Sequence, residues 1–383
     1  MKFRLVRQRY ALSASLALAF LVSCGDSAQE ELPQGPFEGE GALWVRGDFH
    51  VHSSYSLDAA ENHIPEIVAY ARDVVGMDFF VVTDHDNHLD GDMEIVWSDP
   101  AYQAHEMTLL YGVEYTTAFG HANIFGTAPW DHSSLYELRD EQSAGSTIVE
   151  RAQAMGLHFS INHPTGKDLW EFDFDIGYDS MEIWNALWTF PNPAEKNLEL
   201  WADRVMAEQR RIPMRGGSDC HHHRDHLEAD FNNIGSPTTW LRVEENTPAA
   251  ILKALGEGRA AISYGAHGER VAIWIDRDLD GAFETRMGDS IRDGAAPTVH
   301  LGVEIANATL GVPRTIEVYT QESVTTPVVS LETEALREVI ELPALEQGYY
   351  RVKLRGKADL PDIQEKLNRR ILSISNPIYF GFD

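Results

Sequence analysis

From Leu43 to about Gly265, short apolar runs alternate with stretches whose apolar residues recur at helical spacing. That order belongs to repeated β/α units around a parallel sheet or barrel, so an α/β fold is predicted. One helix is spelled out in full. Asn62 can cap it and Pro65 suits its first turn; Ile64, Ile67, Val68, Ala71 and Val75 line one face, and Gly76 ends it. Further helices are predicted near residues 146–155, 194–209 and 248–257. Past residue 266 the pattern changes: VAIWID, TVHLGVEIAN, TIEVYT, PVVSLE, EVIELP, YYRVKLRG and ILSISNPIYF are short β-like runs with turn residues between them. They predict an all-β, sandwich-like domain over 266–383.

The first 42 residues stand outside both patterns. Residues 1–23 carry Lys2, Arg4, Arg7 and Arg9 and then an apolar run from Tyr10 to Val22, the form of a secretory signal too short for a comfortable membrane span. The run closes in LVSC, which resembles the lipobox of bacterial lipoproteins. That resemblance implies cleavage before Cys24 and a lipid on Cys24, hence a cell-envelope lipoprotein on the periplasmic or extracellular face of a membrane. A conventionally cleaved or uncleaved signal is the alternative, and the choice of inner or outer membrane stays open. Residues 24–42, acidic and rich in Gly and Pro, read as a flexible tether.

What the strands of residues 43–265 share is how they finish. LWVRGDFHVHS ends in His50 and His52, MDFFVVTDHDNH in Asp84 and His85, MTLLYGVEYTT in Glu114, GLHFSINHPTG in His163, and RIPMRGGSDCHH in Asp219 and His221. In parallel α/β folds the carboxyl ends of the strands share one face, where active sites sit, so five strands deliver His, Asp or Glu to one place. His50 and His52, two apart on an extended chain, project from the same side and can chelate one ion; Asp219 and His221 repeat that spacing.

The motifs GDFHVHSSYSLDA, VVTDHDNH, YGVEYTTAFGHANIFG, SINHPTG and GGSDCHHH resemble, in order, those of the PHP (polymerase and histidinol phosphatase) superfamily over about residues 44–265. The resemblance implies a distorted barrel of β/α units, typically seven, holding two or three divalent metal ions. It implies nine ligands. His50, His52, Glu114 and Asp219 would hold one ion. Asp58, His85 and the shared Glu114 would hold a second, and His121, His163 and His221 a third. His105 or His132 could stand in for His121, and His222, His223 or His226 for His221. Cys220 reads as a small buried side chain rather than a ligand. Glu114, Asp219 and His85 carry the catalytic roles in this reading. The C-terminal SNPIY run resembles the carbaryl-hydrolase branch of the superfamily.

Two cations sharing a carboxylate sit about 3.5 to 4 Å apart and turn a bridging water into a hydroxide nucleophile, so the chemistry predicted is hydrolysis. Nitrogen and oxygen ligands without a thiolate suit Zn, Mn or Fe. Lys167 and Arg224 are candidates to bind a phosphate oxygen of the substrate. Asp84 and Asp86 could orient imidazoles or relay protons, Glu182 and Asn185 sit where another strand ends, and Trp170, Trp184 and Trp188 read as core or rim aromatics, with the lining of a substrate pocket as the alternative. Charge narrows the partner: 31 basic against 60 acidic residues give a net charge of −29, which disfavours nucleic acid and leaves a small ester substrate drawn by locally bound cations. A metal-dependent phosphoesterase acting on small mono- or diesters comes first, a carboxylic or carbamic ester hydrolase second, and a non-catalytic binding module third. Two cysteines, Cys24 and Cys220, build no disulfide framework. Asp276, Asp278 and Asp280 look like the start of a calcium loop, but Met287 stands where its last ligand belongs, so an acidic turn is the expectation.

Overall fold

The computed structural model describes residues 42–103, 107–166, 169–185, 194–223, 233–356 and 371–382. Nine strands form the first part: β1 (Leu43–Asp48), β2 (Phe79–Val82), β3 (Thr108–Thr117), β4 (Gly120–Gly126), β5 (His158–Ile161), β6 (Ser180–Asn185), β7 (Met214–Gly217), β8 (Thr238–Val243) and β9 (Ala260–Ser263). β1 to β7 lie side by side in sequence order. β1, β2 and β3 are parallel, as are β5, β6 and β7. The row bends round so that its ends meet. Beyond β1 and β7 the backbones join, with Asp219 N donating to His50 O at 2.7 Å and His52 N to Cys220 O at 3.0 Å. Lower down, the Thr239 hydroxyl of β8 fills the seam, accepting from Gly216 N and donating to Gly216 O, each at 2.9 Å.

The expected alternation of strand and helix breaks in more than one place: among the described residues no helix stands between β5 and β6, β8 runs antiparallel to β1 and β9, and β3 leads straight into β4. β3 and β4 form an antiparallel hairpin, which makes β4 antiparallel to β5 as well. Gly120 is the reason. Its φ of +115° closes the tight turn, and a Cβ there would lie 2.9 Å from Trp170 Cα. His121 therefore stands at the start of β4.

The helices follow their apolar spacing. Ile64–Ala69 continues through a wider turn to Val75 and ends at Gly76 with φ +73°, burying Ile64, Ile67, Val68 and Ala71. The predicted cap is wrong: His63 holds that position, and the Asn62 amide instead donates to His52 O at 2.6 Å and accepts from His223 N at 3.2 Å. Helices Gly145–Ala154, Glu195–Glu208 and Pro248–Gly256 fall where expected. Among the described residues no helix is long and apolar enough to cross a membrane.

The remaining strands are β10 (Arg270–Asp276), β11 (Thr285–Arg286), β12 (Ser290–Ile291), β13 (Thr298–Ala306), β14 (Arg314–Tyr319), β15 (Val329–Thr333), β16 (Arg337–Pro343), β17 (Gly348–Gly356), β18 (Ile371–Ser375) and β19 (Ile378–Phe380). One sheet runs β11-β10-β13-β16, while β15-β14-β17-β18 pairs through β18 onto β9 and so continues the first sheet. Val271, Ile273, Val303, Ile316, Val352 and Leu354 fill the space between the two sheets. The opposite face of β17 packs on helix Glu195–Glu208, where Tyr349 meets Trp201 with ring centroids 5.0 Å apart. The fold is mixed α/β.

Candidate metal centre

His50, His52, His85, His163, Asp219 and His221 lie at or just past strand ends in the ring of β1 to β7, Glu114 and His121 lie on the β3–β4 hairpin, and Asp58 lies in a short turn of the loop after β1. Asp48 at the end of β1 fixes this rim: its buried carboxylate accepts from His50 N, Ser218 N and Gly235 N at 3.1, 3.0 and 2.7 Å. Asp84 fixes the next loop, accepting from Ser53 N and from the Ser53 and Ser56 hydroxyls, while His85 N donates to Ser56 Oγ. The Asp58 loop and His85 are thus tied together before any ligand is considered.

Glu114 is the hub. Its Oε1 lies 3.1 Å from His50 Nε2, 3.3 Å from His121 Nδ1 and 3.4 Å from His163 Nε2. Oε2 lies 3.0 Å from His85 Nδ1 and 3.4 Å from His52 Nε2. Asp219 Oδ1 lies 3.1 Å from His52 Nε2 and 3.4 Å from His50 Nε2. Asp58 Oδ2 reaches His85 Nε2 at 3.4 Å and His221 Nε2 at 3.6 Å.

All nine residues converge, but the third trio is divided differently from the expectation. His221 sits away from His121 and His163, stacked on His52 with centroids 4.2 Å apart and beside Asp58. The cause is backbone: the Cys220 segment pairs with Val51, which lays His221 alongside His52. The sets brought together are His50, His52, Glu114 and Asp219; Asp58, His85 and His221; and Glu114, His121 and His163.

The electrostatics suit cations. Burial opposes ionisation of Glu114 and Asp219, yet the surrounding imidazoles hold both well below the usual carboxylate range. Burial likewise opposes charge on His50 and His85, but Asp219, Glu114 and Glu182 keep His50 well above the ordinary imidazole value, and Glu114 and Asp58 push His85 up to about 10. His52 moves the other way, to about 3, through burial and the neighbouring His221 and His85. Ionised Glu114 and Asp219 thus lie buried against a ring of imidazoles. His50 Nε2 and Glu114 Oε2 are buried there with no hydrogen-bond partner, and three overlapping groups, His50 with His52 and Asp219, His52 with His85 and His221, and His85 with Glu114 and His121, each offer ligand atoms within 4.8 Å of one another. Such a donor set fits divalent ions held by nitrogen and oxygen. Cys220 is no competitor, because burial pushes its thiol up to about 12.

The outer contacts orient the ligands. Glu182 Oε1 accepts from His50 Nδ1 at 3.1 Å, which leaves Nε2 aimed at Glu114, and Asn185 Nδ2 reaches Asp219 Oδ2 at 3.3 Å. Asp86 accepts from Thr116 N and from His132 Nε2, so His132 braces the rim and does not replace His121. His223 is held by Asn62 and His222 is exposed. Trp170 and Trp184 are buried in the main core. Cys24, His105, Lys167, Trp188, Arg224 and His226 lie outside the described residues. Asn162 and Arg215 escaped the sequence reading, although both stand inside quoted motifs; a charged arginine in the middle of an apolar strand was the available signal.

No family model matches the chain, and no curated protein matches it. Among the solved structures that resemble the chain at low level are two described as phosphoesterases. One is a two-domain protein from Bacteroides vulgatus containing a predicted PHP-like metal-dependent phosphoesterase, with 15% identity over 92% of this chain and 99% of that one, at a TM-score of 0.45. The other is a proposed metal-dependent phosphoesterase from Bifidobacterium adolescentis, with 15% identity over 49% of this chain and 90% of that one, at a TM-score of 0.33. The case for function therefore rests on the side chains themselves.

Proposed function

We propose that this chain is a metal-dependent hydrolase of the PHP type, a phosphoesterase acting on small phosphate mono- or diesters, with β1 to β7 as its distorted barrel. The observation that carries this reading is Glu114, one buried carboxylate whose two oxygens lie between 3.0 and 3.4 Å from five imidazole nitrogens. A carboxylate so placed is suited to be shared between ions. Two or three divalent ions held by the three sets would supply an activated water and Lewis-acid stabilisation of a phosphoryl oxygen. This chain's part is to present the lone pairs: Glu182 keeps the His50 proton on Nδ1, and Asn185 and the His52 and His50 rings hold Asp219.

Charge favours phosphate over a neutral ester. Glu182 is offset by Arg215 at 2.8 Å, so Asp58, Glu114 and Asp219 are the carboxylates left to face the ions. Two or three dications exceed that negative charge and make the loaded pocket attractive to an anionic group. The same reading tethers the enzyme to the cell envelope through a lipid on Cys24, which the mass of the mature N-terminal peptide tests.

The decisive experiment is metal analysis of the purified protein with parallel assays on chromogenic phosphomonoester, phosphodiester and carboxyl-ester substrates. Bound metal with phosphoester turnover lost on chelation is expected. Turnover of carboxyl esters alone would move the enzyme to the carbamate or carboxyl-ester class, and metal-free protein without turnover would make it a binding module.

A further inference from the structure

We infer that Arg215 is a positioning residue that ties the orientation of the shared carboxylate Glu114 to that of the ligand His50, so that two of the three ligand sets are held by one guanidinium. The inference rests on the reading of this cluster as a metal centre.

Arg215 lies on β7, fully buried beneath the ligands. All three of its nitrogens are committed within the chain. Nη1 donates to Glu182 Oε1 at 2.8 Å, Nε donates to Ser160 Oγ at 2.7 Å, and Nη2 donates to Asn162 Oδ1. With the side chain fully buried, any effect on chemistry must pass through these partners.

Two lines leave it. The first runs through Glu182: the oxygen that accepts from Arg215 also accepts from His50 Nδ1 at 3.1 Å, and the other oxygen accepts from His163 N at 3.0 Å. The second runs through Asn162, whose Nδ2 donates to Glu114 Oε1 at 2.8 Å. Because Arg215 fixes the Asn162 carbonyl oxygen, the amide cannot flip, and its NH2 group must face Glu114. A planar fork with donors in three directions can do this; a single ammonium cannot. The surroundings leave no slack, since a Cβ on Gly217 would come 2.3 Å from Glu182 Oε1 and 3.0 Å from Arg215 Nη1.

The test is calorimetric titration of the chelator-treated full chain with Mn2+ and with Zn2+, comparing wild type, Arg215→Lys and Arg314→Lys. Arg314 is the control. It is a buried arginine paired in two places with Glu269, at 2.7 Å each, in the C-terminal sheets. Both variants should melt earlier than wild type without metal. Only Arg215→Lys should bind metal more weakly, by about tenfold or more, as removal of a ligand-orienting partner does. If Arg215→Lys folds and binds with wild-type affinity and stoichiometry, Arg215 is a packing residue and the inference fails. Should Arg215→Lys not fold, Asn162→Ala reads the second line from its other end: weakened metal binding is expected, and wild-type affinity overturns the claim. Failure of the wild type to bind either ion would instead sink the metal-centre reading.

Discussion

Among the described residues, two places gather metal-ligand side chains whose donor atoms lie within 4.8 Å of one another, and they differ in where the carboxylate lone pairs go. At the strand ends, Glu114, Asp219 and Asp58 face imidazole nitrogens across 3.0 to 3.6 Å, and Glu114 Oε2 has no hydrogen-bond donor. In the turn after β10, Asp276, Asp278 and Asp280 lie within that distance of one another, but the chain itself serves them. Asp276 accepts from Leu279 N at 2.8 Å and Gly281 N at 3.0 Å, and Asp280 accepts from Ala282 N at 2.8 Å. Proximity of ligand-type side chains is common to both. What separates a cation site from a turn is whether backbone donors already occupy the lone pairs.

The largest effect expected of any change to this contrast is at its hub. Glu114→Gln keeps the shape but removes the charge that five imidazoles face. Metal content should drop and turnover of the best phosphoester substrate should fall by at least about a hundredfold. Full metal occupancy with unchanged turnover would remove Glu114 from the mechanism. Next comes Gly217→Ala, which puts a methyl 2.6 Å from His50 Cβ and 2.3 Å from Glu182 Oε1. Overpacking of this kind costs about 1 to 3 kcal/mol. Here it should also weaken metal binding, which calorimetry beside a melting curve separates from simple destabilisation.

The pH dependence sharpens the comparison further. Burial opposes the His85 charge, yet Glu114 and Asp58 raise its pKa from 6.5 to about 10 in the metal-free protein. A raised folded-state pKa contributes stability that is fully present below pH 6.5 and lost as pH climbs through about 10. Chelator-treated protein should therefore melt lower at pH 9.5 than at pH 7. Metal binding must displace that proton, so affinity should move the opposite way and strengthen with rising pH. Parallel trends for the two quantities would show that His85 does not exchange a proton for an ion.

How much of this the sequence disclosed depended on the range of the forces involved. Periodicity disclosed the helices because the apolar stripe of Ile64, Ile67, Val68 and Ala71 is a local pattern with one burial solution. Most ligand residues were legible because they stand at the end of an apolar run, whereas Asp58 and His121 came from the motif resemblance alone. Three features were not. The β3–β4 hairpin depends on Gly120 meeting Trp170, fifty positions on. Asn62 looked like a cap because local spacing allowed it, whereas the folded chain uses it to hold the His52 carbonyl. The place of His221 follows from pairing between Val51 and Cys220, a contact between the two ends of the ring. Local chemistry could be read directly; partners supplied by closing the ring could not.

The smallest effects belong to the acidic turn. Asp276→Asn swaps one carboxylate oxygen for an NH2 group that faces a backbone donor, either Leu279 N or Gly281 N. Leaving such a buried donor unmatched costs about 1 to 3 kcal/mol, so the melting temperature should fall while metal content stays unchanged. Asp280→Asn keeps an oxygen able to accept from Ala282 N, and Asp278 is exposed, so Asp278→Asn and Asp280→Asn should each shift stability by no more than about 0.5 kcal/mol. The ion count per chain is the measurement that matters. If either exposed substitution removed one equivalent of bound metal, capped lone pairs would no longer distinguish the turn from the strand-end cluster, and the contrast between the two regions would have to be given up.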